Sequence, residues 1–312
     1  FVAWQTRRGH TMRRAVSVSL GSSRRDARVE MRLLGEKVQL ERVGTDGDLE
    51  RAARLLQELD GTVDALGLGG ASLGLTVRGR SYPLRSVRPI VRHVRRTPLV
   101  DGAGLRNTLE YRAARTIDEI LGASGQAKRA LCAVVCDRWG LYAGFRDRGY
   151  ECLMGDLIFG LKLPIPIRRE RTLAILMTAL APVVTRLPFS MLYPFNDAPG
   201  DTSARFAQHF RWATVVAGDC HYLTRYMPSG MDGTAVVTNT TTRDDVAKFR
   251  ERGVRHLFTT TPVIDGRSFG TNLLEAGLVA ASGRGRRLSD EELVDALDEL
   301  GMEPRHRVLN DG

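Results

Sequence analysis

Short apolar runs ending in small or hydroxylated corners, each followed by an amphipathic helix, recur along this chain and constrain it to an α/β fold. The stretch from Thr234 to Asn272 shows the pattern best. Ala235-Val236-Val237 leads into Thr238-Asn239-Thr240-Thr241-Thr242, and the helix predicted from Arg243 to Arg252 is stopped by Gly253. The next strand, Val254 to Phe258, ends in Thr259-Thr260-Thr261-Pro262. Parallel β-α-β units bring the carboxyl ends of their strands to one rim, where open α/β sheets hold ligands. Two Thr-rich corners on such a rim predict a polar, uncharged cradle beside a helix amino end.

The same grammar runs through the rest of the sequence. Ala15 to Leu20 alternates and enters Gly21-Ser22-Ser23, and Val38 to Val43 makes a second strand. Asp48 caps a helix whose Leu49, Ala52, Leu55, Leu56 and Leu59 keep helical spacing before Gly61. Val63 to Gly67 and Pro98 to Val100 read as strands, with a hairpin over Leu75 to Tyr82 turning at Arg78-Gly79. Asn107 or Thr108 opens a helix to Leu121, and Gly122 to Gln126 is the linker signal. Beyond it come strands Ala130 to Val135, Glu151 to Met154 and Trp212 to Ala217, and helices Trp139 to Arg148 and Asn272 to about Ala281. Ser289 and Glu292 have capping-box spacing before a last helix. The expectation is two Rossmann-like lobes with mainly parallel sheets and a cleft between them, 12–125 and 126–285. Residues 1–11 read as a disordered extension that lacks the apolar core of a signal peptide, and 286–312 as a helix and tail.

A formal net charge of +10 attracts anions in general. Only Lys37, Lys128, Lys162 and Lys248 are lysines; the other cations are arginines scattered along the chain, without a nucleic-acid motif. A nucleic-acid partner is therefore not expected. Cys132, Cys136, Cys152 and Cys220 form no CxxC pair and read as buried thiols of a reducing cytoplasm. The apolar run Leu173 to Val184, broken by Pro182 and flanked by Arg171 and Arg186, is too short to span a membrane. It reads as a core helix, and no membrane partner is expected.

Several corners carry candidate chemistry. Asp219-Cys220-His221 at a strand end offers His221, with Asp219, as a general acid/base pair. Histidines are too few near it for a metal site, so none is expected. Arg243 beside Asn239 to Thr242 suits a ribose phosphate, with helix capping by Thr242 as the plain alternative. Arg267, Ser268 and Thr271 lead into a helix amino end that suits a carboxylate or phosphate. Asp101-Gly102 with Asn107 gives a polar corner in the first lobe, suited to a substrate. Ala130 to Asp156 has a dinucleotide-fold outline, but Asp137-Arg138-Trp139 occupies the entry that phosphates need.

Taken together, SVSLGSS (Ser17–Ser23), DGAGLRNTLE (Asp101–Glu110), GDLIFGLKLPIPI (Gly155–Ile167), TNTTT (Thr238–Thr242) and GRSFGTN (Gly266–Asn272) resemble a group of bacterial proteins labelled quinate 5-dehydrogenase. The resemblance implies an NAD(P)-dependent oxidoreductase acting on a small anionic cyclic hydroxy acid, quinate- or shikimate-like. NAD or NADP would then lie against Asn239, Thr240, Thr241, Thr242, Arg243, Thr260 and Thr261. Arg267, Ser268, Thr271, Asp101 and Asn107 would hold the substrate. None of the four lysines lies in the catalytic lysine motif of quinate/shikimate dehydrogenases, and the glycine-rich cofactor loop is absent. The alternative reading is a non-catalytic, metabolite- or nucleotide-binding regulatory α/β protein.

Overall fold

The structure, a computed structural model, describes residues 12–77, 80–122, 125–186, 203–261, 263–264 and 267–311, with the backbone alone for 203–205, 263–264 and 267–268. The expected extension 1–11, the hairpin tip Arg78-Gly79 and the loop Asp197 to Asp201 lie outside the described residues. Two units divide the chain, and the first is discontinuous: Phe1–Gly74, Pro83–Leu105 and Phe269–Met302. The second takes Leu75–Tyr82, Arg106–Ser268 and Glu303–Gly312. The expected boundary at 125/126 is therefore corrected: the helix before it runs into the second unit, and the stretch from Phe269 returns to the first.

In the first unit, β1 (Arg13–Ser19), β2 (Ala27–Leu33), β3 (Glu36–Gly44), β4 (Ala65–Gly69) and β7 (Leu99–Val100) form a sheet of order β2-β3-β1-β4-β7. β1 runs parallel to β3 and β4, and β4 parallel to β7, while β2 closes one edge antiparallel to β3. Ala15 to Ser19 and all of β4 are buried, as central parallel strands covered on both faces require. β2 exposes Arg28, Glu30 and Arg32, side chains that discourage edge pairing with another chain. Asp48 caps α1 (Leu49–Leu59) by accepting from Arg51 N at 2.8 Å. The helices α2 (Arg88–Val91), α9 (Thr271–Ser282) and α10 (Asp290–Glu299) complete the unit, with α9 lying across β1, β3 and β4. Ser289 and Glu292 make the reciprocal bonds of a capping box at the start of α10, as their spacing predicts.

The second unit's main sheet has the order β15-β12-β11-β10-β8-β9. Its strands are β8 (Arg129–Cys132), β9 (Glu151–Met154), β10 (Val215–Ala217), β11 (Ala235–Thr238), β12 (His256–Thr259) and the antiparallel edge strand β15 (Arg305–Val308). Strand periodicity explains the layers. Ala130, Cys132, Val215, Ala217, Ala235, Val237 and Phe258 enter one core. Their neighbours Leu131, Val216, Val236 and Leu257 enter another on the opposite face. The first core is closed by α3 (Ala103–Gly122), α4 (Trp139–Asp147) and α5 (Glu170–Val184) through Ile117, Phe145 and Leu173. The second is closed by α6 (Ser203–Trp212), α7 (Cys220–Tyr226) and α8 (Arg243–Glu251) through Phe210, Leu223 and Phe249. Two hairpins, β5 (Gly74–Val77) with β6 (Arg80–Pro83) and β13 (Val263–Ile264) with β14 (Arg267–Ser268), stand apart from this sheet.

Three local readings change. α3 begins at Ala103 rather than at Asn107 or Thr108, because Asp101 accepts from Ala103 N and Glu275 accepts from Leu105 N. The second of these caps comes from 170 residues away in sequence, beyond any local signal. The expected tail 286–312 is split: α10 belongs to the first unit, and β15 completes the sheet of the second. The apolar run read as a core helix buries only one face of α5, with Ile175 69% exposed.

Candidate functional site

Numbered within their own unit, the parallel strands β9-β8-β10-β11-β12 follow the order 2-1-3-4-5. That doubly wound order changes direction between β8 and β10, and the crevice outside the strand ends at such a point is where ligands bind in these sheets. Here the crevice is filled by a side chain. Arg138, only 5% exposed, donates through Nη1 to Glu110 Oε1 and through Nη2 to Asp219 Oδ2 at 2.8 Å. Asn239 Nδ2 donates to the same Asp219 oxygen at 2.8 Å, and His221 N donates to Oδ1 at 3.0 Å.

The electrostatics follow from burial and these contacts. Burial pushes the Asp219 carboxyl up, but Arg138, the His221 N–H and their hydrogen bonds outweigh it and hold Asp219 below its ordinary range. Glu110 sits above its ordinary value, because full burial outweighs the nearby Arg138 and Arg106 guanidiniums. Its second oxygen, Oε2, is buried without a hydrogen-bond partner. The expected proton relay between Asp219 and His221 is corrected accordingly. Asp219 is the amino cap of α7 and a counter-ion for Arg138, while the His221 residue is exposed to solvent.

Two other corners prove structural. Asp156 Oδ1 accepts from Cys136 N at 2.9 Å and its Oδ2 from Val135 N at 3.2 Å, so it holds the turn after β8 and offers no free ribose ligand. Ser22 caps a short turn through Arg24 N, and Asp46 accepts from Ser23 N at 2.8 Å. A carboxylate thus occupies the amide that a phosphate would need.

The two Thr-rich corners do meet, but as a clasp. Thr240 Oγ1 and Thr261 Oγ1 are 2.8 Å apart, and Thr260 Oγ1 donates to Thr238 O at 3.3 Å. Thr238 donates to Asn239 Oδ1, which also accepts from Cys220 N. Thr242 forms a capping box with Asp245, whose carboxyl is held below its usual range because the Thr242 hydrogen bonds outweigh burial. Thr260 and Thr261 are buried, so the expectation that both corners open onto a common cofactor cradle is corrected. The hydroxyls are engaged with one another.

What opens to solvent is a groove of about 430 Å³ beside α8, between that helix and β15. It is lined by Thr241, Thr242, Arg243, Val246, Ala247, Arg250 and Arg307. Positions 243, 246, 247 and 250 recur at helical spacing and so share one face of α8. Arg307 reaches the same side because its register partner on β12 is Leu257, which belongs to the core beneath α8. Arg250 is fixed by an Nε bond to Leu309 O at 3.2 Å. Among the described residues, Arg243 and Arg307 have no carboxylate within ion-pair distance. A smaller groove of about 290 Å³ in the first unit is lined by Arg13, Asp64, Arg96 and Thr97, at the opposite ends of its strands.

Of the remaining expected site residues, Asp101 accepts from Leu73 N at 2.6 Å and caps α3, and Asn107 accepts from Gly140 N where α3 packs on α4. Thr271 opens α9 against Gly102, where a Cβ would meet Thr271 Oγ1 at 2.6 Å. The side chains of Arg267 and Ser268 lie outside the described residues. Sequence reasoning missed Arg250 and Arg307. The first was legible as the i+7 partner of Arg243; the second was hidden because β15 read as tail. Among the described residues, no cluster of three His, Cys, Asp or Glu side chains is placed to hold a metal ion.

Solved structures with similar chain traces include a glucose-galactose binding protein from Geobacillus stearothermophilus, at 11% identity and TM-score 0.38 over 96% of this chain and 99% of that one. A 5-methylthioribose transporter solute binding protein from Thermotoga lettingae matches at 12% identity and TM-score 0.36, over 96% and 88% of the two chains. The NAD-dependent malic enzyme from Thermotoga maritima matches at 10% identity and TM-score 0.41, over 92% and 76%. Likenesses this distant add nothing to the architecture already visible in the sheets. No curated protein matches the sequence. Residues 14–101 match the model of a domain of unknown function (DUF8753). Residues 104–309, more than half of the chain, match a second domain of unknown function (DUF8754), and the chain belongs to that family.

Proposed function

We propose that the groove beside α8 binds a small metabolite carrying a phosphate or carboxylate, and that the second unit is a metabolite- or nucleotide-binding module. The carrying observation is the convergence of Arg243, Arg250 and Arg307 with Thr241 on one groove, two of those arginines lacking an acidic partner among the described residues. Clustered cations repel one another, and an anion between them removes that cost. Guanidinium forks match phosphate and carboxylate oxygens in pairs. Val246 and Ala247 supply an apolar strip for the uncharged part of such a ligand. The volume lies in the range of about 300–1,000 Å³ usual for small-molecule sites.

This reading is favoured over the oxidoreductase implied by the resemblance to proteins labelled quinate 5-dehydrogenase. Asp219 is held as a counter-ion, and the crevice where a dinucleotide would sit at the switch point contains Arg138. Calorimetric titration with ADP, NAD, NADP, quinate and inorganic phosphate tests it. Saturable binding of a phosphate- or carboxylate-bearing ligand is expected, weakening as salt is added. Arg243→Gln or Arg307→Gln should reduce affinity about tenfold each, the scale of a lost charged hydrogen bond. Absence of anion binding, or binding indifferent to both substitutions, overturns the proposal. Reduction of NAD(P) with quinate would instead support the oxidoreductase reading.

A further inference from the structure

We propose that the outward face of α5 docks onto an anionic lipid surface, lying along it rather than crossing it. The helix is apolar on two sides. Leu173, Met177 and Ala181, spaced by four residues, are buried against the second unit's core. On the other side Ile175 is 69% and Val183 62% exposed, with Ala179 and Pro182 exposed between them. Arg171 and Arg186, both exposed, stand at the two ends of this stripe. The spacing 171, 175, 179, 182, 186 keeps them on one helix face. Arg186 donates to Pro182 O and so closes the last turn. The chain just before the helix adds exposed Leu161, Leu163 and Ile165.

Charge decides among occupants. From Leu161 to Arg186 the cations are Lys162, Arg168, Arg169, Arg171 and Arg186, and the single acid is Glu170. Glu170 is already paired with Arg146, and Arg168 with Glu151, each at 2.6 Å, so the charge of this face rests on Arg171 and Arg186 at the ends of the stripe. A second copy of the chain meeting this face symmetrically would set Arg171 and Arg186 against the same cations. An anionic bilayer offers the opposite charge and an apolar interior beneath its headgroups. A helix lying in that interface buries its apolar stripe while flanking arginines reach the headgroups. At about 1.5 Å per residue the helix is far shorter than the roughly 30 Å of a bilayer core. Among the described residues, no helix is long and apolar enough to cross a membrane.

Flotation of the full chain with vesicles of phosphatidylcholine, alone or mixed with phosphatidylglycerol, tests the inference. Binding is expected to the mixed vesicles, at least tenfold weaker to phosphatidylcholine alone, and reduced by salt. Ile175→Ser with Val183→Ser should weaken binding more than tenfold. Arg171→Gln and Arg186→Gln should each weaken it roughly fivefold. All four side chains are exposed, so unchanged melting curves will show that the variants fold, and Arg54→Gln on α1 should bind as the parent does. No binding to mixed vesicles, or binding that the serine pair leaves intact, overturns the inference. So does light scattering in which the serine pair converts a dimer to a monomer, because the stripe is then a contact between copies.

Discussion

Replacing Arg138 by Met should be among the most damaging single changes in the second unit, and its cost should depend on pH. Arg138 bridges Glu110 and Asp219 in a site where Arg138 is 5% and Glu110 0% exposed. Methionine fills comparable volume but leaves both carboxyls without their cation. Breaking a buried ion pair from one side costs about 3–5 kcal/mol. At about 2–4 °C per kcal/mol for a domain of this size, the melting temperature should fall by roughly 6–20 °C. The pH dependence has a definite sign. Glu110 already lies above its ordinary value of 4.5, and without Arg138 it rises further, so the folded variant keeps a proton that the unfolded chain releases. Stability from this group is full below the unfolded value and is lost as pH rises through the folded one. Asp219 behaves oppositely in the parent, contributing stability above 3.8 that is lost on acidification. Urea unfolding followed by circular dichroism should therefore show the Arg138→Met deficit growing as pH rises above 4.5. Adding Glu110→Gln should shrink the deficit and flatten that slope. A deficit under about 1 kcal/mol that ignores pH would refute the reasoning, because Arg138 would then not be neutralising buried carboxylates.

Gly102→Ala should destabilise the first unit by more than about 2 kcal/mol in chemical denaturation, combining the left-handed backbone penalty with a Cβ 2.4 Å from Asn272 N. Thr242→Ala should cost about 1 kcal/mol through loss of the α8 capping box, measured by urea midpoint, and Thr242→Asn should recover most of it. Glu292 is pulled down to about 2, chiefly by its hydrogen bond to Arg286 and by the Ser289 N–H, so its stabilisation should persist to mild acid and disappear as pH falls from 4.5 toward 2. In Glu292→Gln that part of the acid slope should be missing from the melting-temperature profile.

The strand–helix alternation was legible because parallel strands buried on both faces read as apolar runs, and because helix ends announce themselves. Asp48, Thr242 and Ser289 each make the capping bond their positions predict. What stayed hidden depended on partners distant in sequence. The start of α3 is set by Glu275, the membership of β15 by pairing with β12, and the division into units by a chain that leaves one core and returns to it. The Thr-rich corners show a different obstacle. Composition identified hydroxyls on a strand-end rim, and Thr240 does contact Thr261, yet whether such groups face a ligand or each other depends on angstrom-scale register. Arg307 came into view only when β15 placed it on the side of α8.

The interleaving of the two units bears on how the polypeptide acquires its structure during synthesis. A domain made from one continuous stretch can fold as soon as it leaves the ribosome. Here α9, which lies across β1, β3 and β4, emerges only after residues 106–268 have been made, and the second unit's edge strand β15 emerges later still. Until then the first sheet lacks the helix that covers β1, β3 and β4, and β12 has an open edge. Completion of the first unit therefore waits until the parallel strands of the second have been made.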